Sequence, residues 1–515
     1  MTHRLLLVIA GIFLMMGIAM GGKIHAAALD PAGTKTGTTI DIAAANAGTP
    51  TATEITDQIG KNKVAINMVW VLVTGFLVMF MQAGFAMVEA GLTRAKNAAH
   101  TMSMNMMIYP IGMLGFFICG FAIMFGGLGP IATMGGYDGL NQEFTINLFG
   151  HSLGLFGMKG FFLMDVYDVS VFALFLFQMV FMDTTATIPT GSMAERWKFS
   201  AFVVYGLFVG TIIYPVFGNW TWGGGWLAML GKEFGLGHGH VDFAGSSVVH
   251  LTGGVLALVG AIIIGPRIGK YNKDGSPNAI PGHNIPMAIV GAFILAFGWF
   301  GFNPGSTLAG TDLRISVVAV NTMIASATGA FGAMLHMWWF KTKKPDPTMM
   351  INGLLAGLVA ITAPCAFVNV QAAALIGLIS GVLVIEAAFF IEKVLKIDDP
   401  VGAVAVHGVN GAWGCIALGL FADGTYGDGW NGVAGPVTGL FYGNPGQLLA
   451  EVIGVSANFI YVGIIGFIVF KLIDVTIGNR VKPEDELDGL DIPEMGIEGY
   501  CGIRLDKNSE TPLSK

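Results

Sequence analysis

Two stretches of this 515-residue chain repeat one arrangement of titratable side chains. Asp242-Phe243-Ala244-Gly245-Ser246-Ser247-Val248-Val249-His250 returns as Asp399-Pro400-Val401-Gly402-Ala403-Val404-Ala405-Val406-His407. Both read Asp-x-x-Gly-x-x-x-Val-His, and both lead into long apolar segments. An aspartate at a helix start accepts from free N–H groups and complements the helix dipole, worth about 0.5–2 kcal/mol. An imidazole about two turns further in offers a donor and an acceptor nitrogen, and burial disfavours its charged form. Two such rings side by side form a neutral pair sharing one N–H···N bond, open to a small polar solute and titrating as one unit. The plainer alternative is two unrelated polar residues packed between helices. Without a third ligand at suitable spacing the pair is a poor metal centre, and no metal or cofactor is expected.

Two aromatic clusters come next. Trp222-Gly223-Gly224-Gly225-Trp226 and Trp299-Phe300-Gly301-Phe302-Asn303-Pro304-Gly305-Ser306 each close an apolar run. Ring faces attract cations by roughly 0.5–2 kcal/mol each, and a serine hydroxyl accepts from an N–H. Taken alone, such aromatics also suit an interfacial belt.

These residues need a scaffold, and composition identifies its class. Apolar residues make up 54% of the chain, charged residues 11%, and there are 75 glycines. That balance fits closely packed transmembrane helices and excludes an ordinary soluble enzyme. The net charge of −7 and the lack of a basic run give no sign of nucleic acid. Cys119, Cys365, Cys415 and Cys501 share no metal or disulfide spacing and read as small hydrophobes. Arg4, an apolar run from Leu5 to Met20 and Ala26-Ala27-Ala28 follow the order of a signal peptide over 1–28, with an uncleaved extra helix as the alternative. Residues 29–63, rich in Thr, Ala and Gly, read as a disordered exported leader.

Eleven apolar stretches follow, each near the length of about 20 residues that crosses a bilayer: 64–88, 102–126, 169–192, 199–218, 243–265, 285–304, 315–340, 349–365, 372–392, 401–421 and 448–477. The expectation is an all-α polytopic membrane protein, with a transmembrane domain over 64–477 and a tail over 478–515. Lys and Arg crowd the odd connections and the tail (Arg94, Lys96, Arg196, Lys198, Arg267, Lys270), whereas the even ones carry only Lys159, Lys232 and Arg314. This bias places the N-terminus outside and the C-terminus in the cytoplasm. Asp242 then opens helix five from outside and Asp399 opens helix ten from inside. Five helices per repeat force inversion, so helices 1–5 and 6–10 are expected as inverted repeats. His250 and His407 then approach the midplane from opposite faces.

Asp242 to His250, Trp222-Gly-Gly-Gly, Gly298-Trp-Phe-Gly-Phe-Asn303, Ala194-Glu-Arg196, Asp399 to Gly408 and Gly91-Leu-Thr-Arg-Ala-Lys-Asn97 together resemble the ammonium transporter (Amt) family, from about Val64 to Tyr500. The resemblance implies ammonium transport rather than enzymatic catalysis, with methylammonium as an analogue, in the cell (inner) membrane. It implies an outer ammonium site at Trp222 and Ser306 above a phenyl gate of Phe181 and Phe302. Trp299 would line the pore, His250 and His407 would be the twin histidines, and Asp242 the outer aspartate. Asp399 is the inner copy of the repeat. The resemblance also implies a homotrimer with helix 11 packed outside each ten-helix repeat, and a PII signalling protein meeting the tail. Two departures stand out: Glu89, where a small or aromatic residue is more usual, expected near the cytoplasmic interface with an altered exit as the alternative, and Met495 where histidine is common. An ammonium sensor with low flux and a Rhesus-like ammonia gas channel are the alternative functions. Trp222 and Ser306 speak against the gas channel.

Overall fold

The computed structural model describes residues 51–129, 131–136, 139–148 and 150–500. The stretch 1–28 expected as a signal peptide, most of the expected leader and Cys501 lie outside these residues. Ten helices among them are long and apolar enough to cross a bilayer. In chain order they are α1 (Ala52–Leu92), α2 (Ala95–Phe125), α3 (Val169–Ser192), α4 (Phe199–Phe234), α5 (Ser246–Ile264), α6 (Ile285–Thr307) and α7 (Ile315–Lys341); the shorter apolar helix α8 (Pro347–Ile361) comes next, and α9 (Val370–Lys393), α10 (Val404–Phe421) and α11 (Pro445–Thr476) complete the set. With α8 the eleven-helix architecture is complete.

The leader requires a correction. Helix α1 begins at Ala52, so residues 52–63 are helical rather than disordered. The cause is local. Thr51 accepts from the Glu54 N–H while the Glu54 carboxylate reaches back to the Thr51 N–H, a capping box that starts the helix ahead of its apolar part. Helix α4 also outlasts its expected end. It continues through Trp222, breaks at Gly223–Gly225 where Gly224 adopts φ +87°, and resumes over Trp226–Phe234. The two long connections hold antiparallel hairpins, β1 (Glu143–Leu148) with β2 (His151–Gly157) and β3 (Asp423–Trp430) with β4 (Val433–Thr438).

Packing repeats between the halves. Helix α1 lies along α6 and α5 against α10, so each meets its own counterpart, as helices beside a twofold axis must. The remaining pairs recur in order: α1 with α3 and α6 with α8, α2 with α4 and α7 with α9, α3 with α5 and α8 with α10. Small residues permit the closest crossing. A Cβ on Gly254 of α5 would sit 2.1 Å from the Gly408 nitrogen of α10, so only glycine fits. Helix α11 packs on the outside of α4, α5 and α10.

The tail folds back over the start of α2 and over the connections after α3 and α5. Lys96 Nζ donates to the Leu487 carbonyl at 2.6 Å, Asp491 accepts from the His100 N–H at 2.9 Å, and His283 meets the Tyr500 hydroxyl at 2.6 Å. Beneath it, Glu195 is buried against Arg94 and Arg267 at 2.5 and 3.2 Å, and Arg267 also grips Asp398 at 2.8 Å. Burial alone would raise the Glu195 pKa, but the two guanidiniums outweigh it and hold the carboxyl at about 2.

Candidate functional site

Each copy of the repeated motif builds the same local device. Gly245 (φ +119°) and Gly402 (φ +82°) adopt left-handed backbone that turns the chain back toward the preceding aspartate. Asp242 Oδ1 accepts from the Gly245 and Ser246 N–H groups at 2.8 Å each; Oδ2 accepts from Ser247 and Val248 N–H at 2.8 and 2.9 Å and from the Ser247 hydroxyl at 2.7 Å. Asp399 accepts from the Ala403 and Val404 N–H groups at 3.0 and 2.7 Å. The aspartates cap, as their position in the motif suggests. Asp242 is fully buried with both oxygens engaged, so its first role is to fix α5.

The histidines sit in π-helical turns, Ser246–Leu251 and Val404–Val409, where His250 N–H reaches the Gly245 carbonyl five residues back. Such turns widen the helix locally and aim a side chain away from the regular register. The two rings meet: Nδ1 of His407 lies 3.2 Å from Nδ1 of His250, one donating to the other, with ring centroids 5.2 Å apart. His250 Nε2 is buried and without a protein partner among the described residues, so it is available to a polar guest.

A column of rings continues from this pair. His250 stacks on Phe302 at 5.4 Å and on Trp299 at 5.3 Å, and Phe302 stacks on Phe181 at 4.2 Å with 26° between planes. Trp222 meets Phe181 edge-on at 6.1 Å, and its indole N–H donates to the Asp242 carbonyl at 2.6 Å. Trp299 is held by its N–H to the Thr362 hydroxyl at 3.0 Å. Beyond the Phe181–Phe302 pair, on the face away from the tail, opens a cavity of about 320 Å³. Trp222, Ser306, Phe177, Gln178, Phe243 and Trp430 are among the residues that line it. No ionisable side chain is among its described lining residues. The Ser306 hydroxyl donates to the Phe302 carbonyl at 2.8 Å and keeps lone pairs for an N–H. On the other side of His407, toward the tail, a small cavity is lined by Phe85, Glu89, Ile188, Asn352, Val401 and Val406.

The structure thus brings Trp222, Ser306, Phe181, Phe302, Trp299, His250 and His407 into one line and sets Asp242 and Asp399 beside it. Glu89 differs from its expected interface position. It is 3% exposed, with its carboxylate accepting from Asn105 Nδ2 at 2.6 Å and from the Thr190 hydroxyl at 2.8 Å, which draw it between α1, α2 and α3. Sequence reasoning missed Gln178, whose buried side-chain carbonyl has no partner among the described residues. Its place one turn before Phe181 was the available signal. It also missed the buried chain Glu451–His240–Ser247–Asp242, with successive separations of 2.7, 2.8 and 2.7 Å. Burial would lower the His240 pKa, but Glu451 against Nδ1 outweighs it and holds the imidazole above its ordinary value. His240 and Asp242 also lie close to Cys415, but the ring nitrogens and the carboxylate already have these partners.

Comparison with known proteins agrees with the geometry. The profile of the Ammonium Transporter Family matches residues 69–500. Ammonium transporter Amt2 of Archaeoglobus fulgidus is 47% identical over 458 residues, 88% of this chain and 92% of that protein. Ammonium transporter Amt1 of Haloferax mediterranei is 37% identical, covering 86% and 81%. Among solved structures, a Sensor Amt Protein matches with a TM-score of 0.74 at 37% identity over 84% of this chain and 99% of its own. Candida albicans Mep2 matches with 0.69 at 25% over 86% and 94%. A match of this extent, on a chain whose aligned rings and helices were already in place, shows that the protein belongs to the ammonium transporter family.

Proposed function

We propose that this protein moves ammonium across the membrane by binding the ion in the outer cavity, stripping a proton at the Phe181–Phe302 pair, and passing ammonia along His250 and His407. The observation that carries the reading is the unbroken column Trp222–Phe181–Phe302–His250–His407, with no charged side chain in it. A bare cation in such a column faces a Born cost of tens of kcal/mol, which ring faces at roughly 0.5–2 kcal/mol each do not offset. Ammonium escapes that cost by giving up a proton: one N–H bond breaks, its electron pair stays on nitrogen, and the proton passes to water or to the histidine pair. Potassium has no proton to give, so selectivity follows from the dry column itself. The Ser306 hydroxyl and the Gln178 carbonyl supply acceptors that favour N–H donors over a spherical ion.

The orientation is N-terminus outside and C-terminus in the cytoplasm of the cell (inner) membrane, supported by the Lys and Arg bias of the odd connections. A homotrimer and a PII protein at the docked tail follow from family resemblance. The similarity to a Sensor Amt Protein favours one second reading, a sensor with low flux. An ammonium jump applied to proteoliposomes on a solid-supported membrane separates the two. Sustained charge movement, or internal alkalinisation without current, supports transport. Tight ammonium binding without either overturns it.

A further inference from the structure

Glu89 is a buried carboxylate with no place in the pathway described above. Phe85, one turn earlier on the same face of α1, lies against the His407 ring with centroids 6.1 Å apart. Glu89 stands one turn closer to the tail and lines the same small cavity as His407, together with Ile188, Asn352 and Val401. That cavity measures about 20 Å³, enough for one water-sized molecule. The carboxylate is oriented from two sides, by Asn105 of α2 at 2.6 Å and by Thr190 of α3 at 2.8 and 2.9 Å. A purely structural polar residue would not need to border the cavity. This one sits at the tail-side end of the column of rings, where Glu89 and Asn352 bring side-chain oxygens to the cavity beside His407. The titratable groups around it are His407 across the cavity and Asp399 at the start of α10.

Resting on the reading of this column as the ammonium pathway, we infer that Glu89 is the proton-transfer residue of the inner mouth. In its protonated form the carboxyl gives its proton to ammonia arriving past His407. The O–H bond breaks, an N–H bond forms on the nitrogen lone pair, and ammonium leaves toward the tail side. The carboxylate then regains a proton either from the histidine pair, when the proton has travelled inward, or from cytoplasmic water. Asn105 and Thr190 are positioning residues that keep the carboxyl turned to the cavity.

The test compares wild type, Glu89→Gln and Glu89→Asp in proteoliposomes, reading ammonium-driven flux and current against the pH of the tail-side compartment. Glu89→Gln is expected to cut transport at least tenfold and abolish its dependence on tail-side pH, while Glu89→Asp restores part of both. Wild-type rates and an unchanged pH profile in Glu89→Gln overturn the inference. If wild type itself moves no ammonium, the transport reading fails instead. A role limited to holding α1, α2 and α3 together would lower thermal stability and leave the pH profile per folded protein unchanged, which also overturns it. Infrared difference spectra of the native protein on an ammonium jump cover the case in which Glu89→Gln does not assemble. A protonated-carboxyl band that changes on the jump supports the inference, and the absence of any carboxyl change overturns it.

Discussion

Replacing Asp242 with asparagine removes one charge and nothing in size, yet the geometry makes it a severe change. The carboxylate receives five hydrogen bonds, two on Oδ1 and three on Oδ2, four of them from backbone N–H groups at the start of α5. An asparagine carbonyl can keep the pair on Oδ1. Its amide then faces the Ser247 and Val248 N–H groups, donor against donor. Two buried N–H groups lose their acceptor, at about 1–3 kcal/mol each, and the lost charge at the helix N-terminus adds about 0.3–1 kcal/mol. The expected loss is therefore about 2–7 kcal/mol, at the upper end of single substitutions. It falls on the turn that holds His250 and on the carbonyl that anchors Trp222, so transport should fall with stability. Denaturant-driven unfolding in mixed micelles, read by tryptophan fluorescence, measures the first; ammonium flux in proteoliposomes measures the second. An Asp242→Asn protein within about 1 kcal/mol of wild type and with full flux would refute the capping argument.

Trp222→Leu removes one wall of the outer cavity and its ring face, so apparent ammonium affinity should weaken by about 0.5–2 kcal/mol, roughly 2- to 30-fold, in a titration of transport rate. Glu195→Gln leaves Arg94 and Arg267 without their shared carboxylate and should cost about 3–5 kcal/mol, seen as a lower unfolding midpoint. Because the folded Glu195 pKa is depressed to about 2, wild type should keep this stabilisation above the ordinary glutamate value and lose it as pH falls from about 4.5 toward 2; Glu195→Gln should lack that acid-limb dependence. His240 shows the opposite sign. Its folded pKa is raised by Glu451, so the contribution is complete below about 6.5 and fades as pH rises through the folded value; Glu451→Gln should flatten that alkaline limb in thermal unfolding.

Much of this site was legible because its determinants are local or periodic. The paired Asp-x-x-Gly-x-x-x-Val-His stretches announce both caps and both histidines, and charge counting sends them in from opposite faces. Their meeting at 3.2 Å follows from the inverted packing of α5 on α10. The start of α1 was also written locally, in Thr51-Ala-Thr-Glu54, but the polar composition of 29–63 hid that capping signature. What stayed illegible depends on contacts remote in the chain. Glu89 reads as an interfacial carboxylate until Asn105 and Thr190, 16 and 101 residues away, are seen to close over it. Glu451 on α11 finds His240 across 211 residues, a pairing that no spacing rule predicts. The π-helical turns are likewise invisible to a 3.6-residue period, since they add one residue to a single turn.

The central claim is that ammonium crosses a dry column past His250 and His407 after losing a proton, and the most direct test is ion selectivity in the histidine variants. Ammonium and potassium jumps on solid-supported membranes, applied to wild type, His250→Ala, His407→Ala and the double variant, should show wild type passing ammonium and rejecting potassium. Each substitution should cut ammonium transport or admit potassium while the protein remains folded. Ammonium and methylammonium transport at wild-type rates, with potassium still excluded, in both single variants and the double variant would contradict the account.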